Sequence, residues 1–164
     1  MARLWTLNWE APEVTMPATA SAVGTQQNGH PCNSFSTTAD QSIILAGSLP
    51  PEFTGTGTLK LRMHAMALAT SGVARFDITT EFKTVDVNEL MTSDAFGSAN
   101  AGTLTIDTSG ELREFIISLT NHGAAPAAGD AFRLKVLRDG DNSSTQDTLA
   151  VVLYVFRYEF YEEI

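Results

Sequence analysis

Apolar and polar residues alternate along most of this chain, and a period of two is the period of a β-strand. In residues 58–67, Leu59 and Leu61 fall on one side of the alternation, and Lys60 and Arg62 fall on the other. The same alternation recurs in the runs 73–85, 103–107, 115–119 and 131–136. Successive side chains of a strand point to opposite faces, so these runs predict strands with one buried and one solvated face.

Turn-forming residues separate the runs, which together with short segments at 3–9, 41–46 and 148–160 make about eight strands. Strands at this spacing predict a sandwich or a barrel. We therefore expect an all-β fold, namely a jelly-roll-like antiparallel β-sandwich of about eight strands with an extended N-terminal arm.

The N-terminal arm is predicted over 11–31, which is poor in large apolar side chains and rich in Pro, Thr, Ala, Gly and Gln. The expected organisation is an N-terminal strand and arm over 1–32, followed by a jelly-roll domain over 33–164. A helix is favoured only over 87–95, where it would have at most two turns and Asp86 as its cap.

Charge and length exclude several classes of protein. The chain has 164 residues, about the size of one domain, and a net charge of −9, which repels nucleic acid and anionic membrane surfaces. Its longest apolar runs fall short of the roughly 20 residues that span a bilayer, and no secretory signal is visible. With a single cysteine there is no internal disulfide, so we expect a soluble acidic protein.

The three histidines and the cysteine do not predict a metal, a cofactor or a nucleophile. His30 and Cys32 are two residues apart, but no second pair with metal-ligand spacing accompanies them. His64 lies on the polar side of its strand, and His122 lies in a loop of small residues. No nucleophile elbow and no phosphate-binding loop occurs. We therefore expect neither a metal site nor a cofactor.

Two groups of carboxylates could carry chemistry. Asp77 and Glu81 share the outward face of one predicted strand and could form a glycosidase pair, although such residues are more often the solvated side of a sheet. The run 139–144 (DGDNSS) has oxygen ligands for Ca²⁺ but lacks the remaining EF-hand positions, so a turn is favoured. We expect no enzymatic activity.

The C-terminal strand is apolar on both faces over its first half. Strict alternation places Tyr154, Phe156, Tyr158 and Phe160 on one face, which either the arm or another subunit would cover. Large apolar residues also lie in the N-terminal strand. The candidate subunit or capsid interface is Trp5, Leu7, Trp9, Tyr154, Phe156, Tyr158 and Phe160.

Several short motifs resemble a family of jelly-roll virion proteins, the capsid decoration (cement) proteins of tailed bacteriophages. The most specific run is PAAGDAFRLKVLRDG at 126–140, followed by DTLAV at 147–151 and YEFY at 158–161. The run LPPEF at 49–53, GTLK at 57–60, and Phe35 with TADQ at 38–41 resemble the same family. The resemblance covers about 28–161.

The resemblance implies a structural virion protein without catalytic activity, made in the host cytoplasm and located on the outer capsid surface. It would bridge neighbouring copies of the major capsid protein as a homo-oligomer, a trimer rather than a dimer, with the arm as a clamp. The alternative is a tail-fibre or receptor-binding module that binds glycans. A hydrolase and a baseplate subunit are further alternatives.

Overall fold

Strands dominate the computed structural model, which describes residues 2–85 and 96–164. Within these ranges there are ten strands and one short 3-10 helix, Ala11–Glu13. The strands are β1 (Arg3–Glu10), β2 (Val23–Gln27), β3 (His30–Phe35), β4 (Gln41–Ser48), β5 (Thr58–Ala67), β6 (Gly72–Lys83), β7 (Asn100–Ile106), β8 (Arg113–Leu119), β9 (Ala131–Arg138) and β10 (Leu153–Glu163). The predicted helix over 87–95 lies outside the described residues.

The strands form two antiparallel sheets that pack face to face. Sheet 1 has the order β2-β3-β10-β5-β8, and β1 pairs with β10 beyond the end of β3. Sheet 2 has the order β4-β9-β6-β7. The predicted jelly-roll-like antiparallel sandwich is confirmed. It has ten described strands instead of about eight, because β2 and β3 form within and next to the predicted arm.

The β2–β3 hairpin turns at Asn28 and Gly29. Both residues have positive φ, 50° and 79°, as the tight two-residue turn between twisted strands requires. Asn and Gly tolerate this conformation best, so the dipeptide is a hairpin signal that the prediction of an arm overlooked. The rest of 11–31 follows the edge of β4, where Thr15 and Ser21 make isolated bridges to Ile44 and Ser42.

The core lies between the inner faces of the two sheets and is filled by aliphatic and phenylalanine side chains. Two tryptophans of β1 close one edge of it. Trp5 meets Phe160 edge-on at 5.2 Å between ring centroids, and Trp9 meets Phe132 at 6.0 Å. Each such pair adds about 0.5–1.5 kcal/mol to area burial, so β1 stabilises this chain's own sandwich.

A β-bulge interrupts β10. Its register with β5 shifts between Val155 and Arg157, so Val155, Tyr158 and Phe160 all face the core. The prediction that Tyr154, Phe156, Tyr158 and Phe160 share one face is therefore wrong, because strict alternation fails where one strand carries an extra residue. The strand also begins at Leu153, not at 148.

Arg138 ties the two sheets together from inside the core. Its side chain is 0% exposed, and its Nε and Nη2 donate to the carboxylate of Asp147 at 2.9 and 3.0 Å. The remaining N–H groups donate to the carbonyl oxygens of Phe35, Leu149 and Val151 at 2.7–3.2 Å. All donors of this buried cation are used, as burial of a charge demands.

Glu162 is a second buried charge with a structural task. Its carboxylate accepts hydrogen bonds from the backbone N–H and hydroxyl of Thr54, the N–H of Gly57 and the indole of Trp5. Burial raises the pKa of Glu162, but these hydrogen bonds outweigh it and leave the pKa below its usual value. The carboxylate thereby joins the loop before β5 to β10 and β1.

No helix within 2–85 and 96–164 is long and apolar enough to cross a membrane.

Candidate functional site

The outward side of sheet 1, here called the outer face, carries a cluster of charged and hydrogen-bonding side chains. Because β5 turns Leu59, Leu61 and Met63 inward, the residues between them point outward. The paired strands β8, β5, β10 and β1 align these outward residues in three rows. The rows are Ser118, Lys60, Tyr161, Thr6; then Ile116, Arg62, Glu159, Asn8; then Glu114, His64, Arg157, Glu10.

Glu159 lies at the centre of the outer face, with its side chain only 8% exposed. Its Oε2 is 3.2 Å from Nη1 of Arg3 and 3.4 Å from Nη1 of Arg62. Its Oε1 is 3.5 Å from Nε of Arg157 and 3.8 Å from Nε2 of His64. One carboxylate is thus shared among three guanidinium groups and an imidazole, drawn from three strands.

Three nitrogens around this carboxylate are left without a hydrogen bond. Nε of Arg62, Nε2 of His64 and Nε of Arg157 are buried and have no hydrogen-bond partner among the described residues. A buried polar atom without a partner is costly, and such atoms mark sites where a further ligand or water completes the network. All three lie on one side of the sheet, around Glu159.

Aromatic groups flank the charged centre at both ends. The guanidinium carbon of Arg3 lies 4.1 Å from the ring centroid of Tyr161, and that of Arg62 lies at 5.7 Å, so the ring holds both cations. At the other end, Tyr154 and Phe156 are half-buried. Ile116 of β8 is exposed and lies beside Arg62 of β5. From residue 154 to 161 the face extends about 20 Å along β10.

The residues predicted as an interface have different environments. Trp5, Leu7 and Trp9 are half-buried and pack against the core. Tyr158 and Phe160 are fully buried, and the hydroxyl of Tyr158 donates to Asn33 Oδ1 at 3.0 Å. Burial raises the pKa of Tyr158 well above its usual value. Of the seven predicted residues, Tyr154 and Phe156 reach the outer face, and a subunit contact there stays a prediction.

Asp77 and Glu81 do not form a catalytic pair in this geometry. Both face outward on sheet 2, but four strand steps of about 3.3 Å separate them by about 13 Å, beyond the separation of either glycosidase class. Asp77 is paired with Arg75 at 3.0 Å, and Glu81 is 2% exposed and paired with Arg133 and Lys83. Asp77 is therefore paired within its own strand, and Glu81 is also paired across strands with Arg133 on β9.

The histidines and the cysteine are dispersed. His30 is exposed at the start of β3, whereas Cys32 is buried and burial raises the pKa of its thiol. His122 packs edge-on against Phe82 at 5.5 Å, and burial lowers its pKa. It borders a cavity of about 340 Å³ at the loop end of the sandwich, lined also by Phe53, Thr120 and Pro126. Only His64 joins the outer face.

The acidic loop after β9 brings three carboxylates together. Oxygen atoms of Asp40, Asp139 and Asp141 lie within 4.8 Å of one another, so this is where a cation could be held. The oxygens of Asp139, however, accept hydrogen bonds from the N–H and hydroxyl groups of Ser143 and Ser144. Burial raises the pKa of Asp139, but these hydrogen bonds outweigh it and bring the pKa to about 2. The favoured interpretation as a turn accounts for this carboxylate.

Comparisons with known proteins bear on the architecture. No protein-family model matches the chain, and no curated protein does. Among solved structures, TmCBM61 in complex with β-1,4-galactotriose is 10% identical, covers 96% of this chain and 88% of its own, and has a TM-score of 0.44. The CBM22-2 xylan-binding domain of Xyn10C from Paenibacillus barcinonensis is 13% identical, with 92% and 86% covered and a TM-score of 0.46.

A third similar structure is the low-affinity xylan-binding module CBM86 from Roseburia intestinalis, at 12% identity, with 97% and 96% covered and a TM-score of 0.43. These neighbours are carbohydrate-binding modules, so the prediction of a phage capsid decoration protein is wrong. The expectation of the major capsid protein as a partner depended on that prediction. The expectations of a homo-oligomer and of a chain without catalytic activity stay predictions.

Proposed function

We propose that this chain is a glycan-binding module that holds an oligosaccharide along the outer face of sheet 1. The observation that carries the proposal is the cluster around Glu159. Side chains from three strands share this carboxylate, and three of their nitrogens have no hydrogen bond among the described residues. This is the glycan-binding alternative considered from the sequence, without its phage context.

Sugars need the kinds of side chain that this face presents. A sugar ring has hydroxyl groups that both donate and accept, together with faces of C–H groups that pack on apolar surfaces. Guanidinium, amide and carboxylate groups are planar and offer paired donors or acceptors, so two of them can grip neighbouring hydroxyls. Arg157 and Asn8 place a guanidinium group and an amide side by side, since Nη2 of Arg157 donates to Oδ1 of Asn8 at 3.2 Å.

The half-buried Tyr154 and Phe156 supply the apolar part of such a site. Aromatic rings offer a large, stiff contact area at little cost in side-chain entropy. They lie on the same strand as the polar cluster, so β10 would position both parts of the site. A site built on paired strands is held more accurately than one on loops.

The shape of the face favours a length of polymer over a single sugar. An open strip of about 20 Å leaves both ends of a bound chain free to continue. A closed pocket would instead accept a chain terminus and bury most of a small ligand. We therefore expect oligosaccharides of several units to bind, and the monosaccharides derived from them to bind much more weakly.

Affinity gel electrophoresis against a panel of soluble polysaccharides, followed by calorimetry with oligomers of the best one, tests the proposal. Tyr154→Ala and Arg157→Gln should each raise Kd about tenfold, the effect of losing roughly 1.4 kcal/mol. Lys135→Gln, a half-buried cation on the opposite side of sheet 2, is the matched control and should leave Kd unchanged. Retardation by no polysaccharide, or equal retardation of all variants, would refute the proposal.

A further inference from the structure

We infer that the glycan is anionic and that Arg62 and Arg157 bind a sugar carboxylate on it, as in a polymer of uronic acids. This inference rests on the proposed function, because it names the class of ligand for the same outer face. The argument comes from how the charges of the face are distributed between its buried centre and its exposed rim.

Cations are concentrated on this face. Of the ten Lys and Arg residues of the chain, Arg3, Lys60, Arg62 and Arg157 lie there, together with one of the three histidines. Lys60 is neutralised by Glu163 at the edge. That leaves three guanidinium groups within 3.6 Å of the single carboxylate of Glu159.

The remaining counter-charges are at the rim and are replaceable. Arg62 also pairs with Glu114 at 3.2 Å, and Arg157 also pairs with Glu10 at 3.6 Å. The side chains of Glu114 and Glu10 are 46% and 61% exposed. Exposed pairs of this kind contribute little to stability, so a ligand carboxylate can displace them at small cost.

The two arginines retain the donors that such a ligand needs. Nε of Arg62 and Nε of Arg157 have no hydrogen bond among the described residues. A guanidinium group binds a carboxylate best through two parallel N–H donors. Because both Nε atoms are buried, a ligand carboxylate would reach them by displacing the exposed Glu114 or Glu10. A neutral hydroxyl would satisfy one donor but would not replace the negative charge of Glu114 or Glu10 when it displaced one of them.

The net charge of −9 does not prevent this. Charges on the opposite sheet are separated from the outer face by the thickness of a sandwich, about 10 Å, which exceeds the Debye length of about 8 Å at physiological salt. A bound anion therefore responds mainly to the groups beside it. Acidic residues elsewhere would instead keep polyanions away from the rest of the surface.

The test compares an acidic polymer with its methyl ester, a neutral polymer and one charge control. Binding of polygalacturonate, its fully methyl-esterified form, neutral β-1,4-galactan and sulfated dextran is measured on the whole chain, with EDTA present so that cations do not bridge. We expect polygalacturonate to bind at least tenfold more tightly than the methyl ester or the galactan, and its Kd to rise as salt increases from 50 to 500 mM.

Variants locate the carboxylate contact. Arg62→Gln and Arg157→Gln should remove most of the preference for the acid over its ester, and Arg157→Lys should restore only part of it, because lysine keeps the charge but not the paired donors. Lys135→Gln should preserve the preference, and thermal melts confirm that each variant is folded.

The outcomes separate this inference from the function beneath it. Equal binding of acid and ester, or tighter binding of galactan, would overturn the inference and leave the glycan-binding proposal standing. Equal binding of sulfated dextran and polygalacturonate would also overturn it, since any polyanion would then suffice. Binding of none of the four polymers, nor of any in the wider panel, would refute the proposed function itself.

Discussion

Replacing Arg138 by methionine should destabilise the fold more than almost any other single substitution of a charged residue. Methionine fills a similar volume but cannot hydrogen-bond, so the carboxylate of Asp147 stays buried, 5% exposed, without its counter-charge. Removing one partner of a buried ion pair costs about 3–5 kcal/mol. The backbone N–H groups of Arg75 and Leu149 still donate to Asp147, which places the expected loss toward the lower end of that range.

The loss can be measured by urea unfolding followed through tryptophan fluorescence, since Trp5 and Trp9 pack against the core. The midpoint should fall while the slope with urea stays constant. For a domain of this size about 3 kcal/mol corresponds to a Tm lower by roughly 6–12 °C.

A double variant distinguishes charge burial from loss of packing. Arg138→Met with Asp147→Asn removes the unpaired charge and keeps an amide oxygen as acceptor. It should be more stable than Arg138→Met alone by about 1–3 kcal/mol, although Asp147→Asn alone is destabilising. A loss below about 1 kcal/mol for Arg138→Met, or strictly additive losses in the double variant, would refute this account.

Three further predictions concern buried or crowded positions. Asp139 should contribute about 2 kcal/mol to the free energy of unfolding above its unfolded pKa of 3.8, and this contribution should be lost as the pH falls toward the folded pKa of about 2. In urea titrations at pH 2–6, Asp139→Asn should abolish that part of the pH dependence. Glu162→Gln should cost about 1–3 kcal/mol by the same assay, because its amide NH₂ would replace one of the two oxygens and face the N–H of either Thr54 or Gly57. In Gly140→Ala the new Cβ would lie 2.4 Å from the carbonyl oxygen of Ala39, and Tm should fall by several degrees, about 1–3 kcal/mol.

Alternation in the sequence predicted most of sheet 2 and the centre of sheet 1, because one-sided burial imposes a period of two. It did not predict β2, whose residues VGTQQ carry no apolar alternation. That strand is held by backbone pairing to β3 and by the turn at Asn28 and Gly29. It also misassigned the end of β10, where an extra residue leaves no mark in a pattern of apolar residues.

The motifs behind the resemblance to capsid proteins are now seen to be fold residues. Asp130 is 3% exposed and accepts the N–H of Ala127 at 2.8 Å, which holds the turn before β9. Arg138 and Asp147, from the RD and DTLA runs, are the buried ion pair. Residues that hold turns and cores specify an architecture shared by proteins of unrelated function, so they predicted the sandwich correctly and its role wrongly.

The candidate site could be recognised from the sequence only in part. The outward positions of Lys60, Arg62 and His64 were visible in the alternation, as were the charges at Arg157 and Glu159. Their convergence was not visible, because it depends on which strands become neighbours and in what register. Residues nearly 100 positions apart in the chain become cross-strand partners only once β5 and β10 pair.

The bulge in β10 shifts the alternation of inward and outward residues along that strand. Before it, Leu153 and Val155 belong to the core; after it, Tyr158 and Phe160 do. Tyr154, Arg157 and Glu159 lie on the outer face. Deleting Phe156 would remove the bulge and leave both sets on their present sides, because Val155 pairs with Ala65 and Arg157 with the adjacent His64. The outward residues of this strand can be changed one at a time, whereas an insertion beyond the bulge would exchange the two sets and expose Tyr158 and Phe160.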